Sequence, residues 1–61
     1  KVNLNKATKE QLMSLNGIGQ VMADRIIEYR GTSRFESVED LKSVKGIGTV
    51  TFNNLKDHVT V

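Results

Sequence analysis

Apolar residues recur along this chain at helical spacing, in short runs that meet glycine. Leu12 and Leu15 stand three apart ahead of Gly17, and Val38, Leu41 and Val44 do the same ahead of Gly46, as one face of a short helix should. Beyond the first pair of glycines, Ala23, Ile26 and Ile27 form an i, i+3, i+4 stripe that Met22 and Tyr29 widen. Phe52, Leu55 and Val59 form its counterpart further on. The pattern predicts four short helices. Thr8 followed by Gln11, and Ser37 followed by Asp40, have the form of an N-cap with a polar partner at N3, marking the starts of helices one and three. Gly17 and Gly46 fall where a helix end needs a left-handed residue. Gly31-Thr32-Ser33-Arg34 reads as a polar connection led by a helix-ending glycine, and Phe35 behind it as a plug for the core. At the ends, Val2 and Leu4 alternate with Asn3 and Asn5, and Val59 and Val61 flank Thr60, which predicts two short extended pieces lying side by side.

Laid over itself, the chain repeats. Gly17-Ile18-Gly19 returns 29 residues later as Gly46-Ile47-Gly48, and at the same offset Thr8 meets Ser37, Glu10 meets Glu39, Leu12 meets Leu41, Leu15 meets Val44, Val21 meets Val50 and Ile26 meets Leu55. A repeat of this length is a supersecondary unit that cannot bury its apolar face alone. Two units, at about 8–30 and 37–59, therefore complete each other in one domain covering 1–61. The fold class expected is all-α: four short helices in two hairpins related by a pseudo-two-fold axis.

Composition narrows the picture. At 61 residues, 38% hydrophobic and 26% charged, the chain fits one soluble globular domain. A domain this small buries only about 60% of the surface its unfolded chain exposes, which leaves little material for an active site. Absence of cysteine excludes disulfides and thiolate metal sites. No apolar run approaches the length of about 18 residues that a membrane span needs. A net charge of +2 permits an anionic partner, but affinity for one must come partly from uncharged groups. Lys1 in place of an initiating methionine reads as the start of a domain cut from a longer protein.

The uncharged groups best suited are the backbone amides of the turns. A Gly-Ile-Gly turn running straight into a helix leaves the first N–H groups of that helix unpaired at its positive dipole end. Glycines on both sides of Ile18 and Ile47 remove the side chains that would hold a phosphate off, while each isoleucine points inward and fixes its turn. Ending a helix needs only one glycine, yet both turns keep a second.

These residues carry a family resemblance. Leu12-x-x-Leu15-x-Gly17-Ile18-Gly19-x-x-x-Ala23-x-x-Ile26 resembles the helix-hairpin-helix consensus, and Leu41 through Leu55 resembles it again with Phe52 in place of alanine. Together with Val2-Asn3-Leu4-Asn5-Lys6-Ala7-Thr8, Ile26-Ile27-x-Tyr29-Arg30 and Phe35-x-Ser37-Val38-x-Asp40-Leu41, the whole chain resembles the ComEA family of competence proteins, DNA receptors of transformation. The resemblance implies a tandem helix-hairpin-helix, (HhH)2, that binds double-stranded DNA without reading its sequence. It also implies an extracytoplasmic full-length protein, membrane-anchored or periplasmic, that works with membrane-associated uptake machinery. The phosphate-contacting amides it implies are those of Gly17, Gly19, Val21 and Met22, and of Gly46, Gly48, Val50 and Thr51. A monovalent cation, Na+ or K+, is implied at the carbonyls of Met13, Leu15 and Ile18; no other cofactor is.

The chain departs from related hairpins after the second glycine, where Gln20-Val21-Met22 and Thr49-Val50-Thr51 carry no proline, lysine or arginine. Lys45 is the best-placed basic residue, with Lys9, Arg25, Lys42 and Lys56 as further candidates and Asn53 and Asn54 as neutral donors; Asp24 and Glu28 share a face expected to point away from DNA. Catalysis is not expected: His58 stands alone, the carboxylates sit mostly at helix starts, and the chain is too small to pocket an extruded base. Two other readings compete. One is a protein-interaction module without DNA affinity, since the double hairpin also resembles that of an extrinsic photosystem II subunit and of some secretion proteins. The other is an accessory domain of a cytoplasmic repair or transcription protein.

Overall fold

The computed structural model describes every residue from Lys1 to Val61. It is mostly helical: α1 spans Lys9–Met13, α2 Gln20–Thr32 and α3 Thr49–Leu55, with a 3-10 helix at Val38–Ser43 and a single 3-10 turn at Lys56–His58. Two short strands, β1 at Val2–Asn3 and β2 at Val59–Thr60, pair in parallel with Val2 opposite Val59 and Asn3 opposite Thr60. The fold is thus not purely α. Parallel strands need a long crossover, and here the whole helical body serves as one. The side-by-side termini expected from the alternation are this pair. Val59, also counted in the stripe of a fourth helix, belongs to β2, because α3 ends at Leu55 and the chain then tightens and straightens.

The starts of the first and third helices are capped by the residues the pattern singles out. The Thr8 hydroxyl accepts from the Gln11 N–H (3.2 Å), and the Gln11 side-chain oxygen accepts from the Thr8 N–H (2.9 Å). In the second unit the Asp40 carboxylate accepts from the N–H groups of Glu36 (2.9 Å) and Ser37 (3.3 Å). From there the two units wind differently. Leu12 donates back four residues to Thr8, whereas Asp40 donates back three to Ser37, and the third helix is 3-10 throughout. Val38 at its first position is β-branched and a weaker helix former than its counterpart Lys9. Neither short helix reaches its glycine: α1 stops at Met13, and a turn carries Leu15 and Ile18 into the core.

The core draws on both units and both termini. Leu4, Leu12, Ile26, Phe35, Leu41 and Leu55 are fully buried, and no polar or charged residue is. Phe35 sits under Tyr29, ring centroids 4.7 Å apart. Asn5 grips the backbone of Phe35 at both ends, its side-chain nitrogen donating to the Phe35 carbonyl (2.9 Å) and its oxygen accepting the Phe35 N–H (2.8 Å). Arg30 donates to the Leu4 carbonyl (3.1 Å). One polar N-terminal segment thereby fixes the junction between the two units.

These tertiary contacts explain why α2 runs through Gly31 to Thr32, two residues past where a helix-ending glycine would stop it. Tyr29 and Arg30 hold the last turn in place, and a glycine's penalty of about 1 kcal/mol within a helix does not outweigh them. Gly31 lies in ordinary helical backbone with open space where a Cβ would project. Gly31→Ala is expected to raise stability by about 0.5–1 kcal/mol, or roughly 2–8 °C in Tm. A thermal melt that is unchanged or lower would contradict this placement.

Candidate nucleic-acid interface

Each Gly-Ile-Gly turn has the same construction. The first glycine takes the left-handed conformation, φ +85° at Gly17 and +96° at Gly46, which a Cβ would strain. The isoleucine is buried, and its N–H donates back to the residue three before: Ile18 to the Leu15 carbonyl and Ile47 to the Val44 carbonyl, each at 3.1 Å. Ile18 and Ile47 are therefore the internal pegs of the turns, as the sequence predicts, and their side chains are withdrawn from any ligand.

The second glycine is different. Gly19 (φ −93°, ψ −169°) and Gly48 (φ −97°, ψ −173°) are extended and stand at the N-caps of α2 and α3. Any residue adopts that backbone, and a Cβ added at either position meets nothing within 4 Å. Neither conformation nor internal packing demands glycine there. Serine, threonine or aspartate would also cap the following helix at least as well, and neither helix has a side-chain cap. As a result the amides of Gly17, Gly19, Gln20, Val21 and Met22 donate to no protein group, and those of Gly46, Gly48, Thr49, Val50 and Thr51 repeat the pattern. The first intrahelical bonds come one residue later, Ala23 to Gly19 and Phe52 to Gly48, both at 2.9 Å. Donors without acceptors, exposed at a bare turn, are an anion-binding arrangement. Gln20 and Thr49 add to the amides that the family resemblance implies, each directly following an uncapped glycine.

Side chains from the first half of α2 reach the second turn. Met22 leaves the first turn of α2 and its thioether end packs on Gly46, with the Arg25 guanidinium beside it. Arg25 also donates to the Lys45 carbonyl (3.1 Å). Val21 and Val50, 63% and 75% exposed, flank the free amides of their respective turns, and Thr51 is half-buried at the place equivalent to Met22. Lys45 is exposed at the rim of the second turn. The other basic candidates divide. Lys9 forms an ion pair with Asp24 (2.9 Å), and the Lys42 ammonium lies 4.7 Å over the Phe52 ring, so both are already engaged; Lys56 is exposed beyond α3.

The profile of the helix-hairpin-helix motif family matches residues 1–60. The chain belongs to the helix-hairpin-helix family. It is 43% identical over 61 residues, 98% of its length, to ComE operon protein 1 of Bacillus subtilis (strain 168), and spans 30% of that protein. The likeness to the ComEA family thus extends over nearly the whole chain. It is also 39% identical over its full length to endonuclease/exonuclease/phosphatase family domain-containing protein 1 of Homo sapiens, of which it spans 11%. Kinesin-like protein KIN-10B of Arabidopsis thaliana is 51% identical over 41 residues, 67% of this chain and 6% of that protein. The same helix-hairpin-helix region thus sits in much longer proteins with very different names.

Proposed function

We propose that this chain is a tandem helix-hairpin-helix, (HhH)2, that grips the sugar-phosphate backbone of duplex DNA through the free amides of its two pseudo-symmetric turns and does not read base sequence. The observation that carries the reading is the pair Gly19 and Gly48: two glycines the fold itself does not need, each baring a set of unpaired N–H groups. A ligand backbone that must approach closely accounts for both. The contact between Met22 and Gly46 supports a single interface made of both turns, suited to the two strands of one duplex. The amides meet phosphates, which carry no sequence information.

The carbonyls of Met13 and Ile18 accept no protein hydrogen bond, and that of Leu15 accepts one and keeps its second lone pair. Such a neutral all-oxygen set fits a Na+ or K+ ion better than a transition metal. Bound there, the cation would supply positive charge to a turn that has none of its own. In the full-length protein, the likeness to ComE operon protein 1 supports a place as the DNA-receptor domain of a competence system, outside the cytoplasm and beside membrane-associated uptake machinery. The role proposed is binding, since what the two turns share is a set of free hydrogen-bond donors. The exposed valines Val21 and Val50 favour a second reading, a protein-interaction module, which predicts no DNA affinity.

Fluorescence anisotropy with short duplexes, titrated against salt, tests the proposal. Unrelated duplexes of equal length should compete within tenfold, about 1.4 kcal/mol. The slope of log K against log salt should be shallow, roughly −2 to −4, for about two to four phosphates neutralised by side chains. A steep slope or a strong sequence preference would contradict amide-based gripping, and absence of binding at low salt would favour the protein-interaction reading.

A further inference from the structure

The two turns are not equivalent. Gly17 faces open space, whereas Gly46 is roofed by the ends of Met22 and Arg25. Arg25 is half-buried, yet no carboxylate pairs with it, and one of its five N–H donors is spent on the Lys45 carbonyl. The residue at the repeat-related position, Asn54, is exposed and makes no such bond. Beside the guanidinium an open groove of about 460 Å³ is lined by Arg25, Lys45, Ser43, Thr32, Tyr29 and Glu28. The Arg25 bond to the Lys45 carbonyl lies at the surface, and a guanidinium steadied at one nitrogen is pre-organised to meet an oxyanion with the others.

Resting on the DNA-binding reading above, we propose that Arg25 is the charged anchor of the second turn. Held by the Lys45 carbonyl, it presents its remaining N–H groups, with the Lys45 ammonium, to one backbone phosphate at the Gly46 end of this groove. Glu28 repels an anion from elsewhere in the groove and so confines the phosphate to that end. The second turn then has a guanidinium set beside its amides, which the first lacks, and a single arginine of the first unit supplies it.

The test compares the parent with R25Q, R25K and, as a charge control, R34Q in the exposed connection, by anisotropy on one duplex at several salt concentrations and by thermal melting. R25Q is expected to weaken binding at least about tenfold at low salt and to flatten the salt slope by about one. R25K, which keeps the charge but cannot hold carbonyl and phosphate together, should keep the slope and lose about threefold. R34Q should stay within twofold. If folded R25Q binds within twofold of the parent at an unchanged slope, the Arg25 proposal is overturned while the DNA reading stands. If R25Q and R25K weaken binding equally with the parent's slope, Arg25 only props the turn and the proposal is likewise overturned. Should R25Q not fold, R25K decides: a folded R25K with a flattened slope overturns it. A parent that does not bind DNA removes the underlying reading instead.

Discussion

Gly19→Asp and Gly48→Asp are expected to make the protein more stable and a far poorer DNA binder at the same time. Both positions are uncapped helix N-termini in extended backbone with open space above them. An aspartate there accepts the N–H of N2 or N3 and adds a negative charge at the positive end of the helix dipole, worth together about 0.5 kcal/mol over glycine, or roughly 2–4 °C in Tm. The same carboxylate takes the donors a phosphate would use and repels the phosphate itself. Losing charge-assisted hydrogen bonds of about 1.5–3 kcal/mol each should lower affinity about 100-fold per turn, equivalent to about 2.8 kcal/mol. Opposite signs in melting and binding rule out unfolding as the cause. Capped, folded variants that bind duplex DNA as tightly as the parent would leave the two glycines without a role in binding.

Much of this arrangement is legible in the sequence because the repeat exposes it. Gly-Ile-Gly occurring twice at one offset identifies the turns, and positive φ at Gly17 and Gly46 is the conformation that a glycine after a short apolar run requires. Thr8, Gln11 and Asp40 announce the helix starts in the same way, through local chemistry within four residues. What sequence does not yield are features decided at long range. Gly31 reads as a stop signal by propensity, but Tyr29 against Phe35 and Arg30 on Leu4 carry the helix past it. The 3-10 winding of Val38–Ser43 is not legible either, because a stripe of spacing three fits α and 3-10 helices equally well. Val59 fits a helical stripe and an extended end, and only its pairing with Val2 selects between them.

Within the interface the division is similar. The identity of the turn residues is local and visible, whereas the role of Arg25 depends on α2 crossing the second turn, and the repeat offers no hint of it because its counterpart is Asn54. Lys9 and Lys42 carry charge suited to DNA in the sequence, but in the fold one is paired with Asp24 and the other lies over Phe52. Net charge is thus an incomplete guide here: two of the basic candidates make surface contacts within the protein, and the amides, which no charge count registers, are left free.

Phe35→Ala should show how far the interface depends on the junction between units. Phe35 is fully buried, stacked under Tyr29 and clamped by Asn5 at both its N–H and its carbonyl. Truncating a buried phenylalanine costs about 3–5 kcal/mol, through lost transfer energy and the cavity left behind. A domain of this length has a total stability of only about 3–9 kcal/mol on the usual 0.05–0.15 kcal/mol per residue. Circular dichroism is expected to show a Tm lower by about 12 °C or more, or no cooperative transition at 37 °C. DNA binding should fall with the folded fraction, because Met22 and Arg25 meet the second turn only while α2 stays docked across it. If Phe35→Ala melts within about 5 °C of the parent, the junction is not what holds the units together. Binding that survives in a largely unfolded variant would mean that the turns act without α2 docked at the second of them.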